Sequence, residues 1–301
     1  MPSFETLLKE KNARLHAIPL KLQTVIEKQQ QDVLDGIIDQ LNRLTTVDGK
    51  IKINSANLKE IAKISDELKS IFLNDEYLKA VKEFSKEFSE QATINNVLIK
   101  KGFGVIENPV ASTLYIEVAK KNAIEALVGS PIDTQFIKPI QDLLETSVVN
   151  GASFKETMSG IRAFVEGSDG KGSKIMRYAK QITNDSFAIA DRSYTSIISD
   201  ALDAEWFYYS GSEVEKTRCF CQERVGNFYH YLEIESWANG ENLGNCDIGG
   251  GVWAGEIDGT NSATIYSYLG GWNCLHSLMP VSIEIVPESD IERARKLGFV
   301  D

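Results

Sequence analysis

Cysteine is absent from the first 218 residues of this 301-residue chain, and histidine occurs only three times. Any site built on thiols or imidazoles is therefore confined to a few positions. Proline is scarce as well, at 7 residues, and glycine stands at 22; with 43% apolar and 25% charged residues, collagen-like, low-complexity and disordered classes are excluded. No apolar run approaches the ~20 residues that a membrane helix needs. The opening Met1-Pro2-Ser3-Phe4-Glu5 has neither the basic flank nor the apolar stretch of a secretion signal. The expectation is an ordinary globular chain with no membrane partner, long enough for two domains.

Positive charge is short in the C-terminal third. From Ala201 to Asp301 there are 16 Asp and Glu against 6 Lys and Arg, a balance of −10 out of −11 for the whole chain. Such a segment repels phosphate, so duplex reading by this part is not expected, whereas the nearly balanced first two-thirds leave weak contact with DNA open.

What the chain does have is helical periodicity. Ser3 and Thr6 suit the start of a helix running towards His16, with Pro19 expected to interrupt or restart it. Val33, Leu34, Ile37, Ile38, Leu41 and Leu44 follow the 3.6 period up to a turn at Val47-Asp48-Gly49-Lys50. Leu58, Ile61, Ile64, Leu68, Ile71 and Phe72 mark a second helix that Asn54 or Ser55 could cap; Tyr77, Val81, Phe84 and Phe88 line a third. Breakers at Gly102, Gly104 and Asn108-Pro109 suggest a boundary, followed by helical patterns over 110–128, 131–149 and 153–165. Gly167 to Ser173 is glycine-rich but lacks the spacing of a phosphate loop and reads as a flexible turn. A long helix then runs from Lys174 to about Asp203.

After it the texture changes. Residues 205–210, 227–231, 264–268 and 281–286 are short, aromatic or β-branched runs and read as strands, with a last helix from Asp290 to Leu297. The expected class is α+β: a mostly helical N-terminal two-thirds, divided as 1–107 and 108–203, and a small mixed C-terminal domain with short strands over 204–301.

All four cysteines, Cys219, Cys221, Cys246 and Cys274, fall in that last domain, and His276 stands beside the fourth. Cys219, Cys221, Cys274 and His276 form two ligand pairs on turns separated by a loop-rich stretch, a set that could close one tetrahedral zinc site. Buried free thiols, and a disulfide or redox pair, are the alternatives left open by sequence.

The runs Lys216-Thr217-Arg218-Cys219-Phe220-Cys221-Gln222-Glu223-Arg224-Val225-Gly226, Ile234-Glu235-Ser236-Trp237-Ala238, Trp253-Ala254-Gly255 and Gly270-Gly271-Trp272-Asn273-Cys274-Leu275-His276 resemble the phage Mu F-like head morphogenesis, or minor head (minor capsid), protein family. The resemblance covers roughly Ile175 to Pro287, and Arg218, Cys221, Gly226, Trp237, Cys274 and His276 sit at the family's motif positions. Leu275 stands where arginine is common. The resemblance implies a non-enzymatic component of the virion head, assembled in the host cytoplasm and associated with the portal protein, the major capsid protein or the head interior. It assigns no role to the Cys246 region.

Two enzymatic arrangements compete with this. Cys221 or Cys274 with His276 could form a thiolate–imidazole pair, although no third orienting group is visible. Arg192-Ser193-Tyr194-Thr195-Ser196 followed by Glu213-Val214-Glu215 carries the residue order of an ADP-ribosyltransferase, within a helix-like run. Either would make the chain an effector or enzyme carried as cargo in the particle. His16 and His230 read as a surface or groove residue and a core or edge residue.

Overall fold

The computed structural model describes residues 3–104, 110–168 and 171–301. The chain is α+β, mostly helical up to residue 201, with a three-stranded sheet and short helices after it. Among the described residues no helix is long and apolar enough to cross a membrane.

Helix α1 spans Phe4–Asn42, with the Ser3 hydroxyl accepting the Thr6 N–H at 3.1 Å. Pro19 lies inside it and does not break it. An internal proline costs about 3 kcal/mol. Leu15, Ile18, Leu22 and Ile26, all at most 4% exposed, flank that position. Each such burial contributes about 1.5–3 kcal/mol, so packing outweighs the local defect.

The turn expected after it is a hairpin, β1 (Thr46–Val47) against β2 (Lys50–Ile51), with Asp48 and Gly49 at φ 53° and 75°. Two successive positive φ values match the right-handed twist of a tight hairpin. The Asn57 side chain closes its base, accepting from Thr45 N–H and donating to the carbonyls of Thr45 and Lys52 at 2.7–2.9 Å. Helix α2 (Ser55–Phe72) follows, capped by Asn54 as expected. It buries Ile61, Ile64, Leu68 and Phe72, while Leu58 is 41% exposed. Helix α3 (Asp75–Phe103) buries Tyr77, Val81, Phe84 and Phe88, and Gly104 ends it at φ 99°. The Asn108-Pro109 breaker lies outside the described residues.

Helix α4 (Val110–Val128) leads into α5 (Ser130–Ile132), a π turn over Asp133–Ile137, and α6 (Lys138–Val149). Pro139 has no N–H to give to the preceding turn, and the chain widens there, the Lys138 N–H reaching Asp133 instead. Helix α7 (Phe154–Val165) opens with a reciprocal cap: Glu156 N–H donates to Ser153 Oγ, and Ser153 N–H to the Glu156 carboxylate. β3 (Gly167–Ser168) pairs with β4 (Lys171–Gly172), so the glycine-rich turn is a hairpin whose tip, 169–170, lies outside the described residues. Helix α8 spans Lys174–Ala201.

The C-terminal sheet places β5 (Trp206–Ser210) between β6 (Phe228–His230) and β7 (Ser277–Val281), antiparallel to both. Short helices α9 (Cys219–Gln222), α10 (Tyr231–Ala238), α11 (Ile265–Tyr268) and α12 (Glu288–Lys296) surround it. Two expected strands are not strands. At 264–268, Ile265 and Leu269 are both fully buried, a spacing of four that belongs to a helical turn, and Asn261 Oδ1 accepts the Ala263 and Thr264 N–H groups to start it. The third strand lies earlier than 281–286, at 277–281; beyond it Ser282 starts a 3-10 turn that leaves Ile283 and Ile285 about half exposed.

Spatially the chain divides into two compact units. One comprises Met1–Pro19, Lys86–Lys120 and Asn184–Asp301; the other comprises Leu20–Ser85 and Lys121–Thr183. In the first, Lys11 of α1 and Asp191 of α8 form a fully buried ion pair at 3.0 Å. Gln91 and Asn95 of α3 each donate to Asp191 Oδ1 at 2.9 Å. Burial pulls the Lys11 ammonium below its ordinary value, and Asp191 opposes that pull.

Lys11→Met should cost about 3–5 kcal/mol by leaving Asp191 charged and unpaired, and Lys11→Met with Asp191→Leu should recover most of that loss; urea unfolding of the two variants checks it. Ser153→Ala should cost about 1 kcal/mol. The Ser153 N–H and hydroxyl hold the Glu156 carboxyl below its ordinary value, so its share of the cap is present at neutral pH and lost as pH falls through that lowered value. The gap between the thermal melts of wild type and variant should therefore narrow from pH 7 to pH 3, with a remainder from the Glu156 N–H bond to Ser153 Oγ, which does not titrate.

Candidate metal centre

Cys221 sits on the single helical turn α9, whose sequence Cys219-Phe220-Cys221 places the two thiols about 200° apart around the helix axis. They cannot face one site. Cys221 is buried and Cys219 is exposed, bonded to Cys246 in a disulfide with Cα atoms 5.4 Å apart. Of the four ligands expected from sequence, the structure thus brings together Cys221, Cys274 and His276, and places Cys219 elsewhere. Cys246, to which the sequence reading gave no role, is its partner. By the loop it closes, 27 residues in sequence separation, this bridge contributes about 3–4 kcal/mol in the chain-entropy account.

Cys274 and His276 approach from the other side. A tight turn after α11 carries Cys274, with its N–H on the Gly271 carbonyl at 3.1 Å, and His276 immediately precedes β7. The two free sulfurs are 3.7 Å apart, Cys274 Sγ is 3.9 Å from His276 Nδ1, and the three ligand atoms all lie within 4.8 Å of one another. All three residues are buried. They are close enough to hold a metal ion. Tyr209 of β5 donates its hydroxyl to Cys221 Sγ at 3.3 Å.

Two glycines make room for the cluster. A Cβ on Gly270 would lie 2.4 Å from Cys221 Sγ and 2.9 Å from Cys274 Sγ, and one on Gly211 would lie 2.0 Å from His276 Cδ2. Backbone approach as close as this is open only to glycine.

Arg192 of α8 fixes the segment that carries two of the ligands. It is 2% exposed, and its guanidinium donates to the carbonyls of Ser267 at 2.5 Å, Cys274 at 2.6 Å and His276 at 3.2 Å. That use leaves the Arg-Ser-x-Thr-Ser run inside a helix with its arginine tied to backbone, while Glu213 and Glu215 are exposed on a separate loop.

The electrostatics of the thiol pair are asymmetric. The hydrogen bond from Cys221, then His276 and Arg192, hold the Cys274 thiol well below the ordinary range against its own burial. The bond to Cys274 and burial push Cys221 up. The two thiols titrate as one pair, of which Cys274 is the easier to ionise.

An aromatic core backs the cluster. Phe220 stacks on Trp253 at 4.4 Å and meets the edge of Trp237 at 5.6 Å, and Arg224 covers both Phe220 and Trp237 while donating to the Phe220 and Asn242 carbonyls. Arg218 donates to the Trp272 carbonyl, tying the Cys221 turn to the Cys274 turn. Neither of the other two histidines joins the three ligand atoms: His230 is buried against Trp206, and His16, half-buried on α1, feels the cluster only through His276, which after burial pushes its imidazole down.

No family model, curated protein or solved structure matches the chain.

Gly270→Ala should cost about 1–3 kcal/mol by driving a methyl into both sulfurs. Chemical denaturation checks this, with Gly160→Ala in α7 as the comparison, since a Cβ there would meet only Leu143 at ordinary contact distances of 3.6 and 3.7 Å.

Proposed function

We propose that the chain is a non-enzymatic minor head protein acting in phage head morphogenesis. One observation carries the reading: the residues that bear the resemblance converge on one cluster and the turns that hold it, with Cys221, Trp237, Cys274 and His276 buried at its centre. Cys221, Cys274 and His276 form the cluster, Arg218 spans its two turns, Trp237 packs behind it, and the Gly226 N–H binds the Tyr209 carbonyl at 2.9 Å. Residues used in this way hold a module in shape. In a portal- or capsid-associated protein the compact module would serve as a rigid body, with partner faces elsewhere on the chain. Zinc, in this reading, would act there as a staple between loops.

The acidic C-terminal third supports protein partners over packaged DNA for that part of the chain. The cargo reading finds less support, since Arg192 is spent on three carbonyls and the thiols are enclosed.

Quantitative mass spectrometry of gradient-purified parent particles, before and after triggered DNA release, tests the proposal. The expected result is a low, fixed copy number relative to the portal protein, retained after release. Departure with the DNA, or absence from particles, would overturn it.

A further inference from the structure

We propose that Cys221 Sγ, Cys274 Sγ and the His276 imidazole bind one zinc ion as a three-residue protein set, separate from the Cys219–Cys246 disulfide, with the fourth position taken by solvent. This deepens the staple reading above by fixing its ligands.

Three independent observations converge. First, with zinc–sulfur bonds of about 2.3 Å, two thiolates on a tetrahedral ion stand about 3.8 Å apart; Cys221 and Cys274 stand 3.7 Å apart without a bond between them. Second, the imidazole is buried, yet its polar atoms are poorly used. Its Nδ1 is 3.9 Å from Cys274 Sγ, longer than a normal hydrogen bond, and Nε2 has no partner among the described residues. The nitrogen that faces the sulfurs, Nδ1, is without a close partner, and a cation beside the two sulfurs takes that nitrogen. Third, the surroundings are those of a supported site. Tyr209 donates to one sulfur, and Arg192 grips the carbonyls of both Cys274 and His276, so both first contacts are held by outer ones. The charge also fits: two thiolates would be costly in this enclosure unless a cation paired them. Soft sulfur with imidazole selects zinc over magnesium or calcium.

The disulfide keeps the two cysteine pairs from exchanging roles. Cys219 and Cys246 are consumed by each other, and Cys219 projects from the opposite side of α9. The site therefore needs no help from them.

The test uses the full chain purified without reductant in zinc-containing medium. Metal content is measured by plasma mass spectrometry, and free thiols are counted after denaturation with chelator. One zinc per chain with two titratable thiols is expected. Replacing zinc by cobalt should give the thiolate charge-transfer band and the visible bands of a four-coordinate ion, and both should vanish in Cys274→Ser. Cys219→Ser should keep one metal per chain. Circular dichroism identifies any variant that fails to fold, and the wild-type thiol count decides without variants. Zinc-free protein that takes up no cobalt would overturn the proposal, as would zinc held only when all four thiols titrate. Because these measurements use the isolated chain, their outcome is separate from whether it resides in particles.

Discussion

The Arg192 guanidinium is the contact on which the C-terminal module turns. A single side chain from the long helix α8 binds the carbonyls of Ser267, Cys274 and His276. Those three oxygens belong to a segment with little regular structure of its own, so its position depends on an external donor. A charged donor in a buried setting is strong when its acceptors are in place and costly when they are not. The arrangement therefore orders the 267–276 loop and the helix together. Cys274 and His276 are positioned as a consequence, and Cys221 meets them from a turn that Arg218 ties to the same loop.

Around this contact the cysteines are sorted by the face of α9 they leave from. Cys219, exposed, is bonded to the buried Cys246 on one side; Cys221 and Cys274, both buried, meet unbonded on the other. Helical geometry enforces the sorting, because adjacent cysteines one residue apart on a helical turn point away from each other. The inner pair meets a histidine, and the glycines at 211 and 270 leave the space that these side chains fill. The Lys11–Asp191 pair is a further buried charge system in the same unit, and Asp191 precedes Arg192 in the chain, so α8 delivers two neighbouring charged groups to two separate tasks.

Much of the helical fold was legible because its signals are local. The Asn54 cap, the Ser153 start of α7, the apolar face of α3 and the end of α8 near residue 203 each follow from residues within one or two turns. Pro19 misled because burial along α1 outweighs the loss of one hydrogen bond. The aromatic run at 264–268 misled because β-propensity competes with the four-residue spacing of Ile265 and Leu269, and packing chose the latter. At the site, Cys221, Cys274 and His276 were legible from residue type and clustering. Cys246 was not, since nothing in its Asn-Cys-Asp surroundings announces a partner 27 residues away. Arg192 and Lys11 were hidden for a similar reason: long-range contacts of charged residues leave no periodic trace, and an arginine in a helix reads as a solvated face.

Anomalous diffraction from crystals of the chain, collected on both sides of the zinc absorption edge, reads directly whether Cys221, Cys274 and His276 form a metal-stapled centre. A staple gives one anomalous peak, about 2.3 Å from each of Cys221 Sγ and Cys274 Sγ and adjacent to the His276 ring. Crystals with no such peak, or with the two sulfurs joined in a second disulfide, would contradict it.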